Sequence, residues 1–366
     1  MPVRYEVRIK NHTGDRIALL DDFEQLAFTH KANGLGSYVL QVGGHNPGTG
    51  ATTSERTIEE VAALFAEDYQ IEVWRRWPET NIAWYTEWAG LHRHKRIWRD
   101  GNGWHFLSRG YDYNHLLWRT VVDAYAGESE SAKNNAAETV MKEYVAEQMV
   151  TRLAFSGVSV QADGANGNNW KGNGMGKRLL DLCADIAVTG GGDFKMVGTG
   201  AATFEFRWYT GQLGTDRRAS VLFALNYDTM DDPVIEETGD GYNAVLVAGG
   251  GTGATRDHEW VTDAPALARS PWNRIEMFRD ARDVTVGETS TLQQRGNEEI
   301  AAGMLKRKFS FRSKQSAARI YGRNYFVGDL TKASFLGTDY DRKIVGATIT
   351  VRRDDPEDVV LETIEI

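Results

Sequence analysis

Three histidines offer the first opening for chemistry. His92 and His94 lie two apart on a strand-like run, so both can face one side, and His105 on the next strand would complete a metal-binding trio. Arg93, Lys95, Arg96 and Arg99 crowd the same run, and their positive field opposes a cation. Polar residues on a solvated sheet face are therefore expected in place of a metal; with Trp98 among them, the same basic residues could touch a phosphate or an acidic partner subunit, and of those two the acidic partner is preferred. Gly172-Asn173-Gly174-Met175-Gly176-Lys177 invites a phosphate-binding loop. The motif needs Gly where Lys171 stands, and Ser or Thr where Arg178 follows the lysine, so a flexible loop entering a helix is expected.

Further candidates fail on the same kind of ground. Ala248-Gly249-Gly250-Gly251-Thr252-Gly253 has the glycines of a dinucleotide-binding turn, but Ala254–His258 carries no helical period; a glycine-rich bend between strands fits better. Asp228, Asp231, Asp232, Glu236, Glu237 and Asp240 form an acid-rich stretch without the spacing of a calcium loop. No Gly-x-Ser-x-Gly elbow exists, and His258-Glu259 lacks a second histidine at the required place. A pair of carboxylates for glycoside hydrolysis could converge from distant positions, yet nothing points to one. Cys183 falls on the apolar side of a helix-patterned stretch and reads as a small core residue. No residue is therefore assigned a catalytic, cofactor-binding or metal-binding role.

Six of the eleven tryptophans, Trp74, Trp77, Trp84, Trp88, Trp98 and Trp104, fall in residues 1–112. They could form a sugar-stacking platform. Cross-strand pairs and subunit contacts, where large amphipathic rings bury much area, are the preferred reading. Trp84 and Trp88 share the parity of one strand face.

The bulk numbers match a folded protein of two or three domains. At 366 residues the chain exceeds one ordinary core, and its 41% apolar and 25% charged residues are those of a globular protein. The net charge of −9, with no third of the chain basic, argues against a nucleic-acid grip and suits a wall past which DNA slides. One cysteine excludes an intrachain disulfide framework and multi-cysteine zinc sites. No apolar run approaches the roughly 20 residues that cross a bilayer. The alternating start Met1–Lys10 is not a signal peptide, so cytoplasmic synthesis is expected.

Positioning falls to three regions. Residues 1–112 read as strands: Tyr5/Val7/Ile9, Ile17–Leu20, Tyr38–Val42, Gln70–Trp77, Ile82–Arg93 and Trp104–Arg109. Asp100-Gly101-Asn102-Gly103 is a hairpin signal, Gly43–Ser54 an exposed loop, and Thr57–Asp68 a short helix with Ile58, Val61, Ala62 and Phe65 inward. Residues 113–192 form a helical insert. Near Ser131–Val150 the stripe Ala137, Val140, Met141, Tyr144, Val145, Gln148/Met149 faces in, with Lys133, Glu138, Lys142, Glu143 and Glu147 outward. Ala162–Gly176 reads as a loop, and Lys177–Val188 as a helix with Leu179, Leu180, Cys183, Ile186 and Ala187 inward. In residues 193–366 strands return at Phe194/Met196, Thr203–Tyr209, Val221–Asp228, Ala244–Ala248 and Arg274–Phe278. A helix near 289–305 carries Gly296 as a weak point, and Phe309/Phe311, Tyr325–Val327, Ile344–Val351 and Val359–Ile366 close the chain.

The chain resembles the hub (baseplate or tail-tip) proteins of siphophage tails. The likeness rests on motifs in order: Tyr5–Lys10 then Arg16–Leu20, Trp88-Ala89-Gly90-Leu91-His92-Arg93, Gly110-Tyr111-Asp112, and Leu116-Leu117-Trp118-Arg119. Thr215-Asp216-Arg217-Arg218, Tyr242–Gly251 and Gly322–Leu330, ending in a hydrophobic-Gly-Asp step, continue the series. The resemblance implies an α+β, mainly β fold: two tube-like β-barrel or sandwich domains, at 1–112 and 193–366, around an α/β insert at 113–192. It also implies a homotrimeric, quasi-sixfold ring joining the tail tube to the tip. Its partners would be a distal tail or tube ring, the tape measure and tip or fibre proteins, with DNA passing the lumen. It carries no cofactor, no catalytic residue, no specific nucleic-acid binding and no membrane span. Its place would be the virion. The alternative is a tail-tip carbohydrate- or receptor-binding protein using the opening tryptophans.

Overall fold

A computed structural model describes residues 3–44, 56–77, 82–101, 103–124, 130–236, 241–303, 308–316, 319–353 and 355–366. Most of the expected Gly43–Ser54 loop, together with Asn102, Glu237, Asp240 and Leu305, lies outside those residues.

Alternation of apolar and polar residues builds the first region. Its strands are β1 (Arg4–Lys10), β2 (Arg16–Leu20), β3 (Gln25–Lys31), β4 (Ser37–Gly44), β5 (Gln70–Trp77), β6 (Ile82–Asp100) and β7 (Gly103–Asp112). Helix α1 (Ile58–Ala63) starts at Thr57, whose side chain forms a capping box with Glu60, and it drops Ile58 and Val61 into the core. Strand β3, which the sequence reading passed over, carries Leu26 and Phe28 inward.

The insert contains α2 (His115–Trp118), β8 (Ala132–Ala136), α3 (Ala137–Val145), β9 (Val158–Val160), β10 (Asn169–Asn173), α4 (Leu179–Gly190), β11 (Gly192–Gly200) and β12 (Thr203–Thr210). Helix α3 runs on as a π-helix over Ala146–Arg152. The expected inward residues of α3 and α4 are all buried, and they share one core with Phe194, Met196, Phe206 and Trp208 of β11 and β12. A boundary at residue 192 falls inside β11, whose side chains pack in the same cluster as α4. Three local expectations change. The helix begins at Ala137 rather than Ser131, and Asn169–Asn173, expected as loop, pairs antiparallel with β8. Glu138 and Lys142, placed outward by periodicity, are buried against each other because residues 161–166 fold over them: Lys142 Nζ donates to the Ala162 carbonyl at 2.7 Å and Asn166 N to Glu138 at 2.9 Å.

The remaining chain supplies β13 (Leu222–Ala224), β14 (Met230–Glu236), β15 (Ala244–Ala248), β16 (His258–Thr262), α5 (Ala264–Leu267), β17 (Glu276–Asp280), α6 (Thr289–Gly303), β18 (Lys308–Ser313), β19 (Leu330–Phe335), β20 (Thr338–Arg352) and β21 (Asp358–Glu365). Tyr325–Val327, expected as strand, is instead part of a turn region closed by a Tyr321↔Tyr325 bridge. Gly296 is not a flaw in α6. A Cβ there would stand 2.3 Å from Val261 Cγ2, so the glycine lets the helix lie close on the sheet β16-β15-β17.

The fold is mainly β, as expected. Its principal sheet has 13 strands in the order β14-β18-β21-β20-β3-β4-β7-β6-β5-β1-β2, with β19 on β20 and β13 on β19. The first and last strand regions join edge to edge through β3 and β20, where Leu26 faces Val351 and Phe28 faces Ile349. One core runs through the joint, from Val7, Ile9 and Phe106 to Phe311, Ile344 and Leu361. The sheet does not close into a barrel within one chain: β2 and β14 are its ends.

Candidate functional site

The polar chemistry of this chain is concentrated where its parts meet. Strand β7 ends in Gly110-Tyr111-Asp112. A Cβ on Gly110 would sit 1.9 Å from the Leu91 carbonyl oxygen and 2.7 Å from Tyr38, so only glycine permits that strand approach. Asp112 is buried and accepts from Gly36 N at 3.0 Å and Asn114 N at 3.1 Å. Burial raises its carboxyl to about 7 even though the Lys195 charge and both N–H groups pull the other way. Asn114 donates to the Gly34 carbonyl at 2.7 Å and accepts from Met196 N at 2.8 Å, which ties the β3–β4 turn to β11 of the insert.

Asp193 is the knot of this seam. Its side chain is fully buried and accepts from Asn33 Nδ2 (2.7 Å), Leu213 N (2.6 Å) and Lys343 Nζ (2.7 Å). One carboxylate therefore fastens the first strand region, the insert, the segment after β12 and strand β20. Asp329 repeats the device: it accepts from Thr215 N (2.6 Å), Arg217 Nε (2.7 Å) and Phe326 N (2.9 Å). Two sequence motifs more than a hundred residues apart, Thr215–Arg218 and Phe326–Leu330, thus meet, and Asp216 bridges to Leu330.

A second polar centre lies inside the joined sheet. The Arg75 side chain is fully buried; Nη2 donates to Glu357 Oε1 at 2.5 Å and Nη1 to the Tyr321 carbonyl at 2.5 Å, with Glu87 3.5 Å away. Tyr5 donates to the same Glu357. Burial pushes Glu357 up despite Arg75, whereas His30, 3.6 Å away, and the Arg75 charge hold Glu87 below the carboxylate range against its burial. Desolvation opposes the Arg75 charge, but Tyr5, Glu357 and Glu87 together hold it on. Such a cluster locks the two ends of the chain together. A cleft of about 490 Å³ lies between β5–β6 and β11, bordered by Glu72, Trp74, Glu87, Asp112 and Lys195. Each of its three carboxylates is already engaged: Glu72 by Lys10, Glu87 by Arg75 and His30, and Asp112 by backbone N–H groups.

The three histidines are not brought together. His92 is buried, with Nδ1 2.8 Å from Ser108 Oγ, and burial lowers it to about 4. A register shift between His92 and His94 turns His94 to the exposed face opposite Arg109. His105 stacks on Trp98 and lies 3.0 Å from Asp100 and 3.1 Å from Glu24. Among the described residues no group of three or more His, Cys, Asp or Glu side chains is placed to hold a metal.

The other candidates resolve as structure. Lys177 pairs with Asp185 at 2.6 Å instead of waiting for a phosphate, and the run before it is strand β10. Gly250 N donates to Val284 O at 2.8 Å, Gly251 has φ +93°, and a strand follows as expected. Cys183 is buried, and burial pushes its thiol up. Asp228 and Asp231 share Lys314.

The tryptophans do not share a plane. Val73 pairs with Trp88 but Trp74 with Thr86, so Glu87 is an extra residue in β6. That bulge breaks the alternation from which Trp84 and Trp88 were placed on one face. Trp88 is core, Trp74 lies under Arg8 at 3.6 Å, and Trp77 lies under Arg75 at 4.4 Å.

The family described as Siphovirus ReqiPepy6 Gp37-like protein matches residues 6–362. Among solved structures, a 43 kDa tail protein of prophage MuSo2 from Shewanella oneidensis superposes with a TM-score of 0.62 at 12% identity, covering 99% of this chain and 98% of that one. A tail protein from Neisseria meningitidis MC58 gives 0.57 at 12% identity over 100% and 97%. The prophage tail protein gp18 from Listeria monocytogenes EGD-e gives 0.51 at 12% identity over 98% and 94%. At such identity the likeness is one of fold. No curated protein matches the chain.

Proposed function

The chain belongs to the Siphovirus ReqiPepy6 Gp37-like family, and from that premise we propose that it is a structural phage tail protein that serves as the tail hub. The observation that carries this reading is the extent of the likeness: the family covers residues 6–362, and the fold of a prophage tail protein covers nearly the whole of both chains. In the proposed assembly three copies form a ring. Each copy offers two strand regions joined at β3 and β20, so three chains present six such regions around an axis. That arrangement would match a sixfold tube on one side and a threefold tip on the other.

The internal chemistry supports a mechanical role. Asp193, Asp329 and the Arg75 cluster spend their charge fastening parts of the chain to each other, which suits a rigid ring. The net charge of −9 suits a lumen that DNA passes without adhering. On this reading the protein is made in the host cytoplasm, ends in the virion, turns over no substrate, and neighbours a tube or distal tail ring, the tape measure and tip or fibre proteins.

Multi-angle light scattering on the purified chain tests the proposal, with electron microscopy of any assembled species. A trimeric mass and a ring with an open channel are expected. A monomer at every concentration, alone and with tube protein added, would refute it.

A further inference from the structure

Two surface features that the hub reading leaves unused are opposite in charge and alike in being apolar. The first is a cationic, aromatic strip on the insert and β7. Tyr111 stacks on His115 (centroids 4.8 Å apart), His115 stacks on Trp118 (5.2 Å), and the Arg178 guanidinium caps Trp118 at 4.3 Å. Val121, 48% exposed, bridges to Arg178, and Arg152 Nη2 donates to the Val121 carbonyl at 2.7 Å. Arg109 stands two residues before Tyr111 on the same strand face. Among the described residues none of Arg109, Arg152 and Arg178 has a carboxylate partner, in a chain whose net charge is −9. Exposed Trp, Tyr and Arg around an apolar centre is the composition of a protein interface.

The second feature is the outer edge of the large sheet. Strand β14 ends the strand order, and Pro233 with the irregular register between Asp231 and Val234 spoils it for strand addition. It offers side chains instead: Val234 is 56% exposed and Tyr227, just before it, 62%. Asp228, Asp231, Asp232 and Glu236 surround them, and among the described residues only Lys314 and Arg312 answer these four acids, Arg312 reaching Asp232 at 3.7 Å. Glu236 has no cationic partner among the described residues.

We propose that the Arg109–Trp118–Arg178 strip of one copy seats the acidic β14 edge of a second copy, in a head-to-tail contact. Charge complementarity selects a like chain as the occupant, because each copy carries both faces. A contact between unlike faces propagates in one direction and closes into a ring when the rotation permits. This inference rests on the homo-oligomeric reading above and names the surfaces that would make it.

The test uses the full chain in light scattering over a concentration series at low and high salt. Arg152→Glu/Arg178→Glu and, separately, Asp232→Lys/Glu236→Lys should each weaken self-association by about tenfold or more. The chain carrying all four changes should recover a large part of it, since each reversed arginine then meets a reversed acid. Recovery also excludes misfolding as the cause of the loss. If the wild type assembles and both reversed variants assemble as tightly, the inference fails while the oligomeric reading survives. If the wild type stays monomeric throughout, both fail. If the strip variant loses binding only to a single-stranded oligonucleotide and assembles normally, the strip is a phosphate surface and the inference is overturned.

Discussion

Asp193 should be the most costly single carboxylate to remove from this fold. Its side chain is fully buried and accepts three hydrogen bonds, one from the Lys343 ammonium, itself only 18% exposed. Asp193→Ala leaves that ammonium, the Leu213 N–H and the Asn33 amide without an acceptor. Breaking a buried ion pair by removing one partner costs about 3–5 kcal/mol. For 366 residues melting as one unit, that is a fall of about 4–6 °C in Tm. Asp193→Asn keeps the volume and one acceptor, and should cost about 1.5–3 kcal/mol, the value of the lost charge-assisted bonds. The assay is urea unfolding followed by circular dichroism, with trypsin cleavage after Arg217 and Arg218 as a local readout, because Leu213 N is one of the tethered groups. Asp216→Ala, which removes an exposed pair with Arg218 and one hydrogen bond from Arg218 N at 3.1 Å, should cost far less. Adding Lys343→Met to Asp193→Ala should recover part of the loss, since the stranded charge goes with it. A loss below about 1 kcal/mol for Asp193→Ala, or no recovery in the double variant, would refute the reasoning.

Three further outcomes are expected. Gly110→Ala drives a Cβ to 1.9 Å from the Leu91 carbonyl oxygen, backbone that cannot yield, so the variant should fail to accumulate as folded protein; soluble yield and melting decide it. Gly296→Ala gains about 1 kcal/mol of helix propensity but forces a methyl to 2.3 Å from Val261, and overpacking of about 1–3 kcal/mol should make the net change a loss; a higher Tm would refute the close-packing account. With Asp112 raised to about 7 by burial, the folded chain holds that proton more tightly than the unfolded one. Its contribution is whole below about pH 4 and drains as pH rises to 7, by up to about 4 kcal/mol. His92 and His115, lowered to about 4 chiefly by burial, act oppositely: their contribution is whole above about pH 6.5 and is lost as pH falls to 4. Asp112→Asn should therefore gain on the wild type steadily from pH 5 to 8 in urea titrations, and parallel profiles would count against it.

Much of the architecture was legible because it is local. Alternation in Tyr5/Val7/Ile9, and helical spacing in Ala137–Met149 and Leu179–Ala187, reflect which face must leave water. Strand β3 carried the same signal in Leu26 and Phe28. Strands β8 and β10 carried none: Ala132–Ala136 and Asn169–Asn173 are rich in Asn and Lys or Gly, and they pair because the insert brings them together. The candidate site was legible only in pieces. Gly110-Tyr111-Asp112, Thr215–Arg218 and Phe326–Leu330 stood out as motifs, but nothing in them says that Asp329 reaches Thr215 or that Asp193 reaches Lys343.

What the sequence alone determined was the type of element along most of the chain, the apolar faces of its helices, and the failure of each candidate motif to meet its chemical requirements. All of these depend on residues within a turn or a strand of each other. Tertiary structure alone decided that β3 lies beside β20, that Arg75 is answered by Glu357, that a bulge at Glu87 separates Trp84 from Trp88, and that Glu138 and Lys142 are buried. Those outcomes rest on contacts between distant segments, or on a one-residue slip in register. Such contacts form only when the whole sheet can bury its face, and no local pattern encodes which distant strand will supply the other side.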